Sequence, residues 1–198
     1  MRKVCVYCGA NSGRQPEYRH AARLLADEFV ERNIGLVYGG ASIGMMGELA
    51  DRVMARGGHA FGVIPKSFVE NEVPHTGLSG LVVVENTHER KAMMAEIADG
   101  FIALPGGFGT MEELFEILAW AQLGFHRKPC GLLNVHGYFD GLMTFLNHAV
   151  EEQFIKPVHR QLLLSDSKAD KLLERMLKYR QPLGDKWVIQ GSASNSME

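Results

Sequence analysis

Apolar runs and amphipathic stretches alternate along the chain. "KVCVYCG" is a continuous apolar run closed by a turn. In "EYRHAARLLADEFVERN", which follows, Ala22, Leu25, Phe29 and Val30 recur at helical spacing and share one face. The alternation continues with "IGLVYGG" and the helix "MMGELADRVMARGG", closed by glycines, then with the strand "HAFGVIP". "LVVVEN" precedes "THERKAMMAEIADG", "FIALPGG" precedes "TMEELFEILAWAQLG", and "KPCGLLNV" precedes "YFDGLMTFLNHAVEEQF". "RQLLLS" reads as an edge strand ahead of the helix "SKADKLLERMLKYR", and residues 66–80, with Pro74, Gly77 and Gly80, read as a loop. Continuously apolar strands that alternate with helices imply a parallel sheet covered on both faces. With right-handed crossovers this predicts an α/β fold, a Rossmann-like doubly wound sheet flanked by helices. One domain is expected over residues 1–183, with a polar, disordered tail over 184–198. There is no internal repeat and no linker.

Composition narrows the partners. A chain of 198 residues supports one sizeable core. A net charge of -2 without a basic block argues against a nucleic-acid polymer as partner. No apolar run approaches the ~20 residues that span a bilayer, so no membrane partner is expected. "MRKVCVYCGA" reads as a first strand rather than a signal peptide, and the odd count of three cysteines suggests reduced thiols, which together predict a cytoplasmic protein. Cys5 and Cys8 form a C-x-x-C, but side chains three apart on a strand point to opposite faces, and no second pair completes a zinc site. The eight histidines include no H-x-H or H-E-x-x-H. Neither a metal site nor a cofactor is expected.

Three strand-to-helix turns are rich in glycine: "CGANSG" (8–13), "YGGASIGMMG" (38–47) and "LPGGFGT" (104–110). All lie at carboxyl ends of parallel strands, hence on the sheet edge where open α/β folds bind ligands. Close backbone approach and the helix N-terminus that follows suit a phosphate. The first turn has no G-x-G-x-x-G and nothing in the chain reads G-K-[ST], which excludes the usual dinucleotide and triphosphate signatures. A nucleoside monophosphate or a sugar phosphate remains.

Two charged pairs stand beside these turns. Thr110 can serve as N-cap with Glu113 three residues on, a capping box. A carboxylate there is expected to be held ionised by the helix dipole, which suits a base or an anion facing developing positive charge but not a proton donor. Arg90 and Lys91 fall in the first turn of a helix capped by Asn86 or Thr87, where the dipole disfavours cations. A local rule broken beside a ligand edge points to function, and arginine there could clamp a phosphate or carboxylate. A phosphate cradle, a glutamate and an arginine suit cleavage at a sugar anomeric carbon, which passes through an oxocarbenium-like state.

At these residues the chain resembles the LONELY GUY (LOG) family, the cytokinin riboside 5'-monophosphate phosphoribohydrolases. Pro105 to Glu113 match P-G-G-x-G-T-x-x-E in full, and Arg90, Lys91 and Met94 match the R-K motif with its methionine. "GLVYGGASIGMMG", "CGANSG" and "AWAQLGFHRKPCGLLNVHGYFD" also match, and the resemblance runs from Val4 to about Tyr179. A lysine decarboxylase reading finds no support, because no S-x-H-K site for pyridoxal phosphate is visible. The resemblance implies hydrolysis of AMP or N6-substituted AMP to free base and ribose 5-phosphate by a homodimer. It implies that Glu113 and Arg90 are catalytic and that Gly106, Gly107, Gly109 and Thr110 hold the phosphate. It further implies that Gly39, Gly40, Ser42 and Gly44 form another wall, and that Glu72, Lys91, Glu112 and Met94 contact the ligand or support the site. Ala10, Leu81, Ala119 and His136 depart from the family's usual residues and bear on substrate preference. The alternative is a non-catalytic nucleotide or cofactor carrier on the same fold, which needs the glycine turns but not the Arg90–Glu113 pair.

Overall fold

The central strand β1 (Lys3–Tyr7) pairs in parallel with β2 (Gly35–Tyr38) on one side and β5 (Gly100–Ala103) on the other, Val4 lying opposite both Leu36 and Gly100. β3 (Ala60–Pro65) and β4 (Gly80–Val84) extend the sheet one way, β6 (Cys130–Leu133) and β7 (Leu163–Asp166) the other. The seven parallel strands run in the order β4-β3-β2-β1-β5-β6-β7. The chain winds outward from β1 to β4, then returns across the sheet to β5. Its direction of winding therefore reverses between β1 and β5, and a crevice opens at such a switch point. The computed structural model describes residues 1–69 and 74–182. The tail expected over 184–198 lies outside the described residues, and so does Glu72.

Alternation along each strand sends side chains to two apolar layers. Val4, Val6, Leu36, Tyr38 and Ile102 pack under α1 (Pro16–Glu31), α2 (Gly44–Ala55) and α8 (Ala169–Leu177). Cys5, Tyr7, Val37 and Phe101 pack under α4 (Thr87–Ile97) and α5 (Phe108–Leu123). Ala103, Leu132 and Leu163 lie beneath α5 and α6 (Asp140–Glu151). Cys5 and Cys8 fall in opposite layers, and all three cysteines are buried free thiols. Two single-turn helices, α3 (Lys66–Val69) and α7 (Pro157–Arg160), are too short to leave a periodic signature; α3 lies in the stretch read from sequence as loop. Among the described residues no helix is long and apolar enough to cross a membrane.

α5 begins two residues earlier than its sequence pattern suggests. Gly107 is its N-cap, in extended conformation, and the Met111 N–H closes the first turn on the Gly107 carbonyl. Thr110 is therefore inside the helix and Glu113 one turn deeper, so the expected capping box does not form. At α4 the Asn86 side chain does cap, accepting from the Glu89 N–H at 2.9 Å.

Candidate active site

A cleft of about 510 Å³ opens at the carboxyl ends of the strands, over the switch point. Its floor is the turn after β1 (Gly9 to Gly13). One wall is the turn after β5, from Pro105 to Thr110, and Gly39 closes the end of β2. The two turns are stitched together: the Gly9 N–H donates to the Pro105 carbonyl at 3.1 Å, and the Leu104 N–H to the Tyr7 carbonyl at 2.9 Å.

The three glycine-rich turns differ in what fills the space left by their missing side chains. At Gly107 and Gly109 a Cβ would meet nothing within 4 Å. These two residues flank the start of α5, whose first N–H groups lack intrahelical partners. Among the described residues no side chain caps this helix, whose N-cap is a glycine, and its first turn holds no acidic residue. The geometry is that of an anion cradle. Gly106 is different: a Cβ there would strike the Thr110 hydroxyl and the Gly9 backbone. The β2 turn is filled throughout. A Cβ on Gly39 would strike the Arg90 guanidinium, one on Gly40 the Leu81 side chain, and one on Gly44 the Ala10 backbone. The Met45 N–H at the start of α2 is taken by the Gly9 carbonyl at 3.0 Å.

Arg90 and Glu113 face each other in the cleft, Nη2 to Oε1 at 3.7 Å, their side chains only 14% and 12% exposed. α4 precedes β5, so its first turns lie at the carboxyl edge, and the long arginine reaches across to rest on Gly39. Its Nε–H is buried without an acceptor among the described residues. Burial pushes the Glu113 carboxyl up to about 7, a rise that Glu112 and Glu116 support and that Arg90 and Lys91 oppose. This corrects the reading of a carboxylate held ionised by the helix dipole. Glu113 sits beyond the first turn, where the dipole fades, and desolvation decides.

Lys91 lines the same cleft, but its ammonium is engaged by Glu112 and, at 3.0 Å, by Glu116. Burial pulls its pKa down, and the two carboxylates more than offset this, leaving it above the ordinary lysine value. Lys91 thus ties α4 to α5 directly behind the Arg90–Glu113 pair.

The cleft gathers Gly39, Arg90, Lys91, Gly106, Gly107, Gly109, Thr110, Glu112 and Glu113 from the residues named by the sequence. Gly40, Ser42 and Gly44 are not among its lining; they shape the wall behind it. Met94 is 1% exposed in the layer beneath α4 and does not reach the cleft. It lies one helical turn, about 5.4 Å, further from the carboxyl edge than Arg90, and its side chain is too short to return. Among the departures, Ala10 lines the cleft. Leu81 packs on Gly40, Ala119 lines a separate apolar groove on the outer face of α5, and His136 takes φ 52° in the turn after β6. Sequence reading missed Tyr18, Tyr138, Met45, Met46 and Phe68, which also line the cleft. Tyr138 was findable, since it follows β6, the strand next to β5, and so belongs to the same edge.

A model of a family described as "Possible lysine decarboxylase" matches residues 46–176. The chain is 48% identical over 179 residues to the cytokinin riboside 5'-monophosphate phosphoribohydrolase LOG7 of Arabidopsis thaliana, covering 90% of this chain and 82% of that one. It is 47% identical over 185 residues to LOG5 of the same plant, a protein of the same name, covering 93% and 81%. Among solved structures, the molybdenum cofactor binding protein of Rippkaea orientalis is similar with a TM-score of 0.68 at 18% identity, covering 89% of this chain and 96% of that one. That likeness extends to the fold alone.

Proposed function

The chain belongs to the LONELY GUY family of cytokinin riboside 5'-monophosphate phosphoribohydrolases, and on that premise we propose that it hydrolyses the N-glycosidic bond of AMP or N6-substituted AMP. The products are free base and ribose 5-phosphate. The observation that carries this reading is the Arg90–Glu113 pair, set beside a helix N-terminus whose glycines face open space.

The 5'-phosphate seats on the amides of Gly107 to Thr110. Its distance from Glu113, about one helical turn, matches the reach from a phosphate to the far side of a ribose. As the C1'–N9 bond breaks, its electron pair leaves with the base and positive charge develops on the sugar. The buried Glu113 carboxylate stabilises that charge. Water then bonds to C1', and the proton it loses passes to Glu113, whose pKa near 7 suits accepting it and returning it to solvent or to the departing base. Arg90 keeps the carboxylate facing the ribose and balances its charge before the cation forms. Glu112 and Lys91 hold α5 and α4 in register behind the pair. A carrier on the same fold needs the open amides but has no use for a carboxyl poised near 7 opposite an arginine. Decarboxylation through a lysine Schiff base needs a free amine, and the cleft lysine is committed to two carboxylates.

The protein is further proposed to act as a cytoplasmic homodimer. Free buried thiols fit a reducing compartment. Val82 and Val83 on the edge strand and Phe115 on α5 remain exposed and suit a second copy. A net charge of -2 argues against a nucleic-acid polymer. The direct test is incubation with AMP and with N6-isopentenyl-AMP, followed by chromatography. Release of adenine or its prenylated form, with ribose 5-phosphate in equal amount, is expected; intact nucleotide after prolonged incubation would refute the reading.

A further inference from the structure

The turn after β6 holds a tyrosine that the proposed chemistry does not use. Tyr138 donates its hydroxyl to the Gly106 carbonyl at 2.6 Å. Its ring is fixed from two sides, edge-on to Tyr18 at 5.7 Å between centroids and to Phe139 at 5.0 Å. The turn carrying it is built to hold a shape. Asn134 accepts from the Phe139 N–H at 2.8 Å and donates to Asp140 at 2.7 Å, while His136 and Gly137 both take positive φ.

The consequence lies in the peptide plane. In a trans peptide the carbonyl and the following N–H point in opposite directions. Anchoring the Gly106 carbonyl on Tyr138 therefore directs the Gly107 N–H the other way. Its neighbour is anchored likewise, since the Pro105 carbonyl accepts from the Gly9 N–H. Two successive carbonyls are turned onto protein donors. Without the tyrosine hydroxyl the Gly106–Gly107 plane is free to rotate, because glycine on either side offers little steric resistance. A carbonyl swung into the cradle would repel an anion. We propose that Tyr138 is a positioning residue that holds the Gly106–Gly107 peptide so that its N–H faces the substrate phosphate.

The inference rests on the proposed phosphoribohydrolase reading and can fail independently of it. Tyr138→Phe keeps the ring and its aromatic contacts and removes only the hydroxyl. The loss of one hydrogen bond corresponds to about a threefold to tenfold weaker hold on the phosphate. The KM for AMP and the inhibition constant for ribose 5-phosphate are expected to rise together by that factor. kcat should stay within about twofold and the inhibition constant for adenine, which has no phosphate, should not move. Unchanged constants for AMP and ribose 5-phosphate would overturn the proposal. So would an equal weakening of adenine, because that marks general loosening of the cleft. If the wild-type protein does not cleave AMP, the functional reading fails; calorimetric titration of both proteins with ribose 5-phosphate still tests the tyrosine by the same ratio.

Discussion

The turns after β2 and after β5 look alike as text. Each places adjacent glycines at a strand end, adds further glycines within a few residues, and leads into a helix. In three dimensions they do opposite things. The β2 turn is full: Arg90 occupies the space above Gly39, Leu81 that above Gly40, and the Ala10 backbone that above Gly44, while the Gly9 carbonyl takes the Met45 N–H in the first turn of α2. The β5 turn is open at Gly107 and Gly109, and the start of α5 has no side-chain cap. Glycine in a sequence marks a close approach. Whether protein or ligand makes that approach depends on residues far away in the chain, here Arg90 and Ala10.

Among the glycines of the two turns, the largest effect should come from Gly39→Ala. The new methyl meets the far end of a flexible side chain, so the fold should survive with a melting temperature close to that of wild type. Arg90, however, loses its seat beside Glu113. kcat/KM for AMP is expected to fall by about 100-fold or more, as when a catalytic group is misplaced by an ångström. Full activity would show that the arginine does not need that seat.

Next come the two turns side by side. Gly44→Ala places a methyl against the Ala10 backbone at φ 60°. Positive φ and a backbone clash together should cost at least about 2 kcal/mol of stability by chemical denaturation. Gly107→Ala is the counterpart: its backbone is extended and its surroundings are empty. Stability should change by less than about 1 kcal/mol, while the KM for AMP rises because the methyl enters the anion's space. If Gly107→Ala unfolds the protein and Gly44→Ala does not, the contrast between the turns is wrong.

The remaining effects are in pH dependence. The Glu113 pKa stands at about 7 in the folded chain against an ordinary 4.5. The folded state therefore holds this proton more tightly than the unfolded state. Its contribution to stability is complete below about 4.5 and is lost as pH rises to about 7. Glu113→Gln should accordingly gain on wild type in melting temperature between these two values, by up to about 3 kcal/mol of stability. Activity that depends on the carboxylate should rise with pH through the same region. Glu112→Gln removes a like charge and should move that midpoint to lower pH; a shift upward would contradict the electrostatics of the cleft.

The sheet was legible because its strands are continuously apolar and its helices amphipathic, so even the edge strand near Leu163 could be placed. Clustering of the glycine turns followed from parallel topology alone. The start of α5 was not legible, since Gly107 as N-cap leaves no hydroxyl or carboxylate signature, and Thr110 offered a false one. Met94 shares a helix with Arg90 but not its reach. The ionisation of Glu113 depended on burial, which local sequence does not encode. Gly40, Ser42 and Gly44 match the motif by residue type, yet are not among the lining of the cleft.

The central claim is that the Glu113 carboxylate faces the anomeric carbon of a bound mononucleotide and stabilises it as the base departs. The most direct measurement compares wild type and Glu113→Gln for AMP binding by calorimetry and for adenine release under saturating AMP. The account predicts that the variant binds AMP within about threefold of wild type and releases adenine at least about 1000-fold more slowly. A variant that binds AMP and releases adenine at the wild-type rate would contradict it.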